Sequence, residues 1–263
     1  MAEKAQGSKK STFAVSLTNF LDSGSIVAGA SGLTLWTKAL GLSSFQVGLL
    51  GALSANAFGA AIGALFGGHL SDKYGRKVIY TYDMLIYMLG TIIVALSVNF
   101  AMLLVGFLLT GIAVGAGVPA SWTYISETSG STNRTENIGI SQFAWSMGPA
   151  IIFILGVVLA PLGLLGSRLM FGLLTVIAFI AWNLQRGLHE SEEWVEQKKQ
   201  EKASGEKPHP YKDLFSSAVS VKSLLFLIGV YMFWNLVAGA MGFFMPYVYE
   251  TAGGLTNQQA NLL

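Results

Sequence analysis

Long apolar blocks dominate this chain and decide what it can become. Ala39 to Gly68, Phe100 to Ser126, Asn137 to Ser167, Leu169 to Gln185 and Ser223 to Tyr249 contain no charged residue. Two further blocks carry one charge each: Ser11 to Thr37 holds Asp22, and Val78 to Asn99 holds Asp83. A helix needs about 20 mostly apolar residues to cross a bilayer, so seven spans are expected. The blocks are continuous rather than alternating, which selects helices over barrel strands. The first is too long for a signal-peptide core and lacks an A-x-A-like cleavage site, so it reads as a span. Only 11% of the 263 residues are charged, against about 25% in an ordinary soluble domain. A net charge of +2 gives a nucleic-acid partner no support. The absence of Cys excludes thiolate metal sites. His69, His189 and His209 are scattered. No metal, no cofactor and no enzymatic activity are called for, and no G-x-x-x-x-G-K-[ST] is present to support an ATPase.

Lys and Arg set the orientation. When the connecting segments are placed on alternate sides, fourteen of the sixteen Lys and Arg fall on one side, among them Lys73, Arg76, Lys77, Arg134 and Arg186. Only Lys38 and Arg168 fall on the other. The first side is therefore expected to be cytoplasmic, with the N-terminus on it, in a multi-pass protein of the cell membrane. The segment Arg186 to Lys222 is charged and contains Pro208 and Pro210, which marks a soluble loop. Its stretch Ser191 to Lys202 has helical charge pairs, Glu196–Lys199 and Lys198–Glu201, opposed by Glu192–Glu196 and Lys198–Lys202. The chain thus divides into a six-helix bundle over 1–186, a cytoplasmic loop over 187–221, and the first helix of an incomplete second bundle over 222–263. In span two, Gly51, Ala55, Gly59, Gly63 and Gly67 form an i,i+4 row that lets helices approach closely.

The loop after span two reads Gly68-His69-Leu70-Ser71-Asp72-Lys73-Tyr74-Gly75-Arg76-Lys77. It resembles the G-x-L-x-D-[RK]-x-G-R-[RK] signature of the major facilitator superfamily, in order and in sidedness. Gly75 permits a tight turn, and Asp72 is expected at a helix N-terminus, where a negative charge is stabilised. Further segments resemble the sugar-porter branch of that family: Gly111-Ile112-Ala113-Val114-Gly115, then Tyr124-Ile125-Ser126-Glu127 with Arg134 seven residues on, and Glu190-Ser191-Glu192-Glu193-Trp194 after span six. The resemblance covers nearly the whole chain. It implies an all-helical fold with inverted three-helix repeats, a solute site near the midplane between two bundles, and alternating access by rocking. It also implies a cytoplasmic gate network of Gly68, Asp72, Gly75, Arg76, Lys77, Glu127, Arg134 and Glu190, held by ion pairs when the protein faces outward.

Ionisable groups inside a membrane are expensive and point to function. Asp22, in Phe20-Leu21-Asp22-Ser23-Gly24, resembles the acid of a G-Y-D-T-G segment of proton-coupled sugar porters. A carboxyl that alternates between dry and wet surroundings loads and releases a proton, so Asp22 is the candidate coupling site. Asp83, near the inner end of span three, is expected to snorkel or to pair with Arg76 or Lys77. The resemblance carries a substrate-contacting Gln onto Gln142, with Gly148 six residues later, and an amide suits a sugar hydroxyl. Trp145, Trp234 and Asn235 are further substrate candidates.

The chain also departs from the family pattern. The family's span-four Arg, partner of the span-one acid, is Phe107. The second span-five Gln falls on Pro149, and the polar pairs of span seven become Phe233-Trp234 and Phe243-Phe244. The expected activity is secondary active transport, a proton symport of a sugar or related polar metabolite. Alternatives are a uniporter or organic-metabolite transporter of the same superfamily, an inactive truncated fragment, and, from another class, a seven-span receptor, which the loop signature opposes. With one bundle the cavity lacks a second wall, so these 263 residues alone are expected not to transport.

Overall fold

The computed structural model describes residues 2–54, 57–129, 133–204, 215 and 217–263. Among these the regular structure is helical: α1 Ala2–Leu40, α2 Ser44–Leu53, α3 Phe58–Tyr74, α4 Arg76–Leu96, α5 Phe100–Thr128, α6 Arg134–Leu159, a short 3₁₀ turn Ala160–Leu162, α7 Leu164–Arg186, α8 Glu192–Ser204, α9 Ala218–Thr251 and α10 Asn257–Ala260. Two of the short turns between spans carry side-chain caps. Ser43 accepts from the Gln46 amide while the Gln46 side chain accepts from the Ser43 amide, a capping box that opens α2. Asn99 caps α5 in the simpler way.

Six segments are long and apolar enough to cross a membrane, with α2 and α3 counted together as Ser44–Tyr74. α1 falls outside that set because it is studded with polar groups: Thr18, Asn19, Asp22, Ser23, Ser25, Ser31 and Thr34 are all buried along it. It tolerates them because protein covers it. α5, α6, α7 and α9 pack around α1, so its polar atoms meet other side chains and backbone rather than lipid.

The core places α1 against α6 and α7, and α5 against α3 and α4. Phe107 of α5 lies at its centre, edge-on to Phe171 of α7 and Phe243 of α9 with ring centroids 6.0 and 6.1 Å apart. α3 meets α5 backbone to backbone, because a Cβ at Gly63 would strike the Ile112 carbonyl and one at Gly115 the Ala60 carbonyl. The small-residue row in span two does not run along one helix, as the spacing implied. α2 ends at Leu53 and α3 starts at Phe58, while Ala55 lies outside the described residues. Ser54 adopts extended backbone, and its hydroxyl donates to the Gly51 carbonyl at 2.8 Å, a local bond that competes with helix continuation. Gly59, Gly63 and Gly67 still share the buried face of α3. Gly51 lies on the other side of the break, against Phe244.

Candidate solute cavity and inner charge cluster

A cavity of about 1160 Å³ is walled by α1, α3, α5, α6 and α9 and by the residues after α10. Trp145, Trp234 and Asn235 all line it, together with Ser23, Tyr231 and Tyr249. α6 is shaped for this role by Pro149. A proline has no N–H to give the carbonyl four residues back, which leaves the Trp145 carbonyl open. The Ser23 hydroxyl donates to that carbonyl at 2.6 Å. The two helices come close enough for this because Gly148 faces Ser23 and the backbone of Phe20 and Gly24, where a Cβ would not fit. Gln142 is exposed and stands outside this lining, one turn beyond Trp145 on α6. The Asn235 amide donates to its own helix, at the Tyr231 carbonyl, 3.0 Å away. Most of the remaining lining is apolar or aromatic, which suits a solute with ring faces as well as hydroxyls.

Asp22 sits immediately behind this wall, one residue from Ser23. It is fully buried, and neither carboxyl oxygen has a hydrogen-bond partner among the described residues. Phe107, packed between aromatic rings, offers it no charge.

At the other end of the spans, Arg76 joins α3, α4 and α5. Its guanidinium donates to Asp72 at 2.7 Å, to the Ser71 carbonyl at 3.0 Å and to Glu127 at 3.0 Å. The side chains of Arg76 and Glu127 are only 8% and 13% exposed, so this pair is shielded from solvent screening. Asp72 was expected at a helix N-terminus. It lies instead in the last turn of α3, where the helix dipole disfavours it. The Arg76 contact across the Gly75 break compensates. The N-terminus of α4 is filled by Glu190, which accepts the backbone N–H of Arg76 at 3.0 Å and of Lys77 at 3.1 Å. That arrangement differs from the expected ion pair: Glu190 caps a helix. Gly75 allows it, with φ of +110° and no side chain where the Glu190 carboxylate sits. Arg134 donates its Nε–H to the Ser126 carbonyl at 2.9 Å rather than to Glu127. α8 lies beside this cluster, with the Trp194 indole donating to the Asp72 carbonyl at 2.9 Å and Lys198 paired with Glu201 at 2.7 Å. Pro208, His209 and Pro210 of the same loop lie outside the described residues.

Residues 12–262 match the Major Facilitator Superfamily. The chain belongs to that superfamily. It is 49% identical over 259 residues to the minor myo-inositol transporter IolF of Bacillus subtilis (strain 168), covering 97% of this chain and 59% of that protein. It is 31% identical over 146 residues to the arabinose-proton symporter of Escherichia coli (strain K12), covering 56% of this chain and 30% of that one. A crystal structure of a D-xylose-proton symporter shares the fold with a TM-score of 0.71 at 20% identity, over 95% of this chain and 63% of that chain.

Within this major facilitator chain, several buried polar residues were not singled out from the sequence. Asn19 of α1 donates to Ser141 of α6 and accepts from Ser121 of α5. Gln185 of α7 donates to Thr18 and to the Ala14 carbonyl. The available signal was a polar residue inside an apolar block, which a search for charges passes over. Asp83 departs further from expectation. It neither snorkels nor pairs with Arg76 or Lys77: it is 2% exposed, with both carboxyl oxygens buried and unpartnered among the described residues. Arg76 is turned to Asp72 and Glu127 instead.

Arg76→Ala leaves the largely buried Glu127 carboxylate without its cation. A loss of about 3 kcal/mol of stability is expected, read as a lowered midpoint of thermal unfolding in detergent. Lys77→Ala should change it far less, because Lys77 meets Glu190 through its backbone amide.

Proposed function

We propose that the complete gene product is a secondary active transporter of the sugar-porter type, which carries a sugar or related polyol together with a proton by alternating access. The observation that carries this reading is the adjacency of Asp22 and Ser23. One is a buried carboxyl without a partner among the described residues, and the other lines the cavity. A proton on Asp22 and a solute against Trp145, Trp234 and Asn235 would then be felt by the same turn of α1. Identity to a myo-inositol transporter makes a cyclic polyol the first solute to try. Gln142, outside the lining, is a weaker contact in this conformation. The remaining wall would come from a second bundle beginning with α9, much of whose apolar surface is exposed. The Lys and Arg asymmetry supports a cell-membrane protein with a cytoplasmic N-terminus, so that Arg76, Lys77, Glu127, Arg134 and Glu190 form an inner gate beneath Gly68 and Gly75.

The test is uptake of labelled myo-inositol into liposomes holding the complete gene product. An inward proton gradient should drive accumulation above equilibrium, and a protonophore should abolish it. Uptake that reaches equilibrium and ignores the gradient would establish uniport, the reading favoured by Phe107 standing where the family pattern has a cation. Failure to take up inositol and pentoses, with uptake of an organic acid, would replace the sugar class.

A further inference from the structure

The interior holds a second carboxyl, Asp83, which the proposed coupling site does not use. Its position follows from the register of α1 and α4. The Tyr87 hydroxyl of α4 donates to the Leu21 carbonyl of α1 at 2.9 Å, which places Tyr87 at the level of Asp22. Asp83 lies one turn earlier on α4, about 6 Å of helix rise away. There it shares the surroundings of Gly117 with Thr18, one turn before Asp22 on α1: a Cβ on Gly117 would collide with the Asp83 carboxyl and lie 3.6 Å from the Thr18 methyl. Another turn back, Tyr80 packs edge-on to Tyr124, centroids 5.1 Å apart. The Tyr124 hydroxyl donates to the His189 carbonyl at 2.9 Å, next to Glu190. Ionisable side chains therefore step from Asp22 through Asp83, Tyr80 and Tyr124 to the charge cluster around Arg76.

Both oxygens of Asp22 and both of Asp83 are buried without a side-chain partner among the described residues. Each such atom costs about 1–3 kcal/mol, and a line of them is a feature that folding alone does not reward. The ionisable groups beside Asp83 are Asp22 from α1 and Tyr80 from its own helix, with Tyr124 of α5 packed on Tyr80 beyond them. α7 itself presents Gln185, which is neutral and bonded to Thr18. No cation of the described residues pairs with either acid. Asp83 lies one turn from the level of Asp22 in the same interior, and two neighbouring carboxyls in dry surroundings do not both ionise. A proton on one is thereby poised to move to the other.

We infer that Asp83 is a second proton site, which takes the proton from Asp22 and delivers it to the inner end of the bundle past Tyr80 and Tyr124. This rests on the reading of Asp22 as the coupling acid. In the step, the O–H bond of neutral Asp22 breaks and a new one forms on the Asp83 carboxylate. Asp22 becomes charged and Asp83 neutral, and Asp83 then releases the proton to water on the inner side.

The experiment compares Asp83→Asn, Asp83→Glu and Asp22→Asn in the complete gene product in liposomes, with myo-inositol as the probe. Proton-driven accumulation and gradient-free exchange are measured at several inner pH values. Asp83→Asn should keep exchange within about twofold and lose accumulation by about tenfold or more, with Asp83→Glu restoring much of it. Normal accumulation by Asp83→Asn, or no rescue by Asp83→Glu, alongside a defective Asp22→Asn, overturns the relay and leaves the coupling reading standing. Normal accumulation by Asp22→Asn removes the coupling reading, and the transfer with it. Should Asp83→Asn lose exchange as well, infrared titration of the unmodified protein decides. A protonated-carboxyl band, assigned by its absence in Asp83→Glu spectra at that frequency, must change with inner pH. A band that does not change overturns the proposal.

Discussion

Asp22→Asn in the complete gene product is expected to lose proton-driven accumulation by about tenfold or more, with solute exchange near the unmodified rate. The reason lies in the chemistry of the replacement. Asn has nearly the volume of Asp, so the packing of α1 against α6 and α7 is kept. Its amide is neutral at every pH and stands in for a carboxyl that never gives up its proton. Exchange needs only that the loaded carrier reorient, which the neutral form permits. Accumulation needs the empty carrier to return after the proton has left, which the amide forbids. The buried surroundings of Asp22, without a hydrogen-bond partner among the described residues, make the contrast sharp: there is no structural bond for the substitution to break. Paired measurements of accumulation and counterflow in the same liposomes check this. Unchanged accumulation would reduce Asp22 to a neutral packing group.

Gly115→Leu should prevent the bundle from forming. At this crossing α5 lies directly on the backbone of α3, and a Cβ at Gly115 would run into the carbonyl of Ala60. Backbone cannot rotate aside as a side chain does, so the helices must separate. That in turn pulls apart the neighbouring contact of Gly63 with the Ile112 carbonyl. Overpacking of this kind costs about 3 kcal/mol or more. The yield of monodisperse protein and its unfolding midpoint in detergent should both collapse. Gly172→Leu in α7 is the control, because nothing lies within 4 Å of a Cβ there. It should stay within about 0.5 kcal/mol of the unmodified protein. Equal behaviour of the two variants would mean that the α3–α5 approach is not needed for folding.

The inner cluster shows where reading residues in order succeeds and where it stops. Gly75, Arg76, Glu127 and Glu190 were all legible as a motif, and three-dimensional packing does bring them together. Their chemistry was not legible. Whether Glu190 meets a side chain or a helix N-terminus depends on where α4 starts, and that depends on the positive φ of Gly75. Asp72 shows the same limit: its stabilisation depends on whether a helix begins or ends beside it, and α3 ends there. In the cavity, Trp145, Trp234 and Asn235, candidates by residue type, line the walls formed by α6 and α9. Gln142, the candidate that follows from family spacing, falls outside, since a turn of helix separates lining from rim.

The class of the molecule followed from the sequence alone, because charge-free runs of this length have one physical solution: helices whose backbone bonds are satisfied internally within a bilayer. Tertiary structure alone decided what the polar exceptions inside those runs mean. α1 is the least apolar span and reads as the weakest, yet it is the most enclosed by other helices, so its polar groups become the interior of the bundle. Asp83 read as an interfacial acid from its distance to the end of its span. The register set by Tyr87 on Leu21 places it in the interior, one turn from the level of Asp22. Hydropathy is a property of one segment, whereas burial and partnership belong to the space between segments, which only the packed helices define.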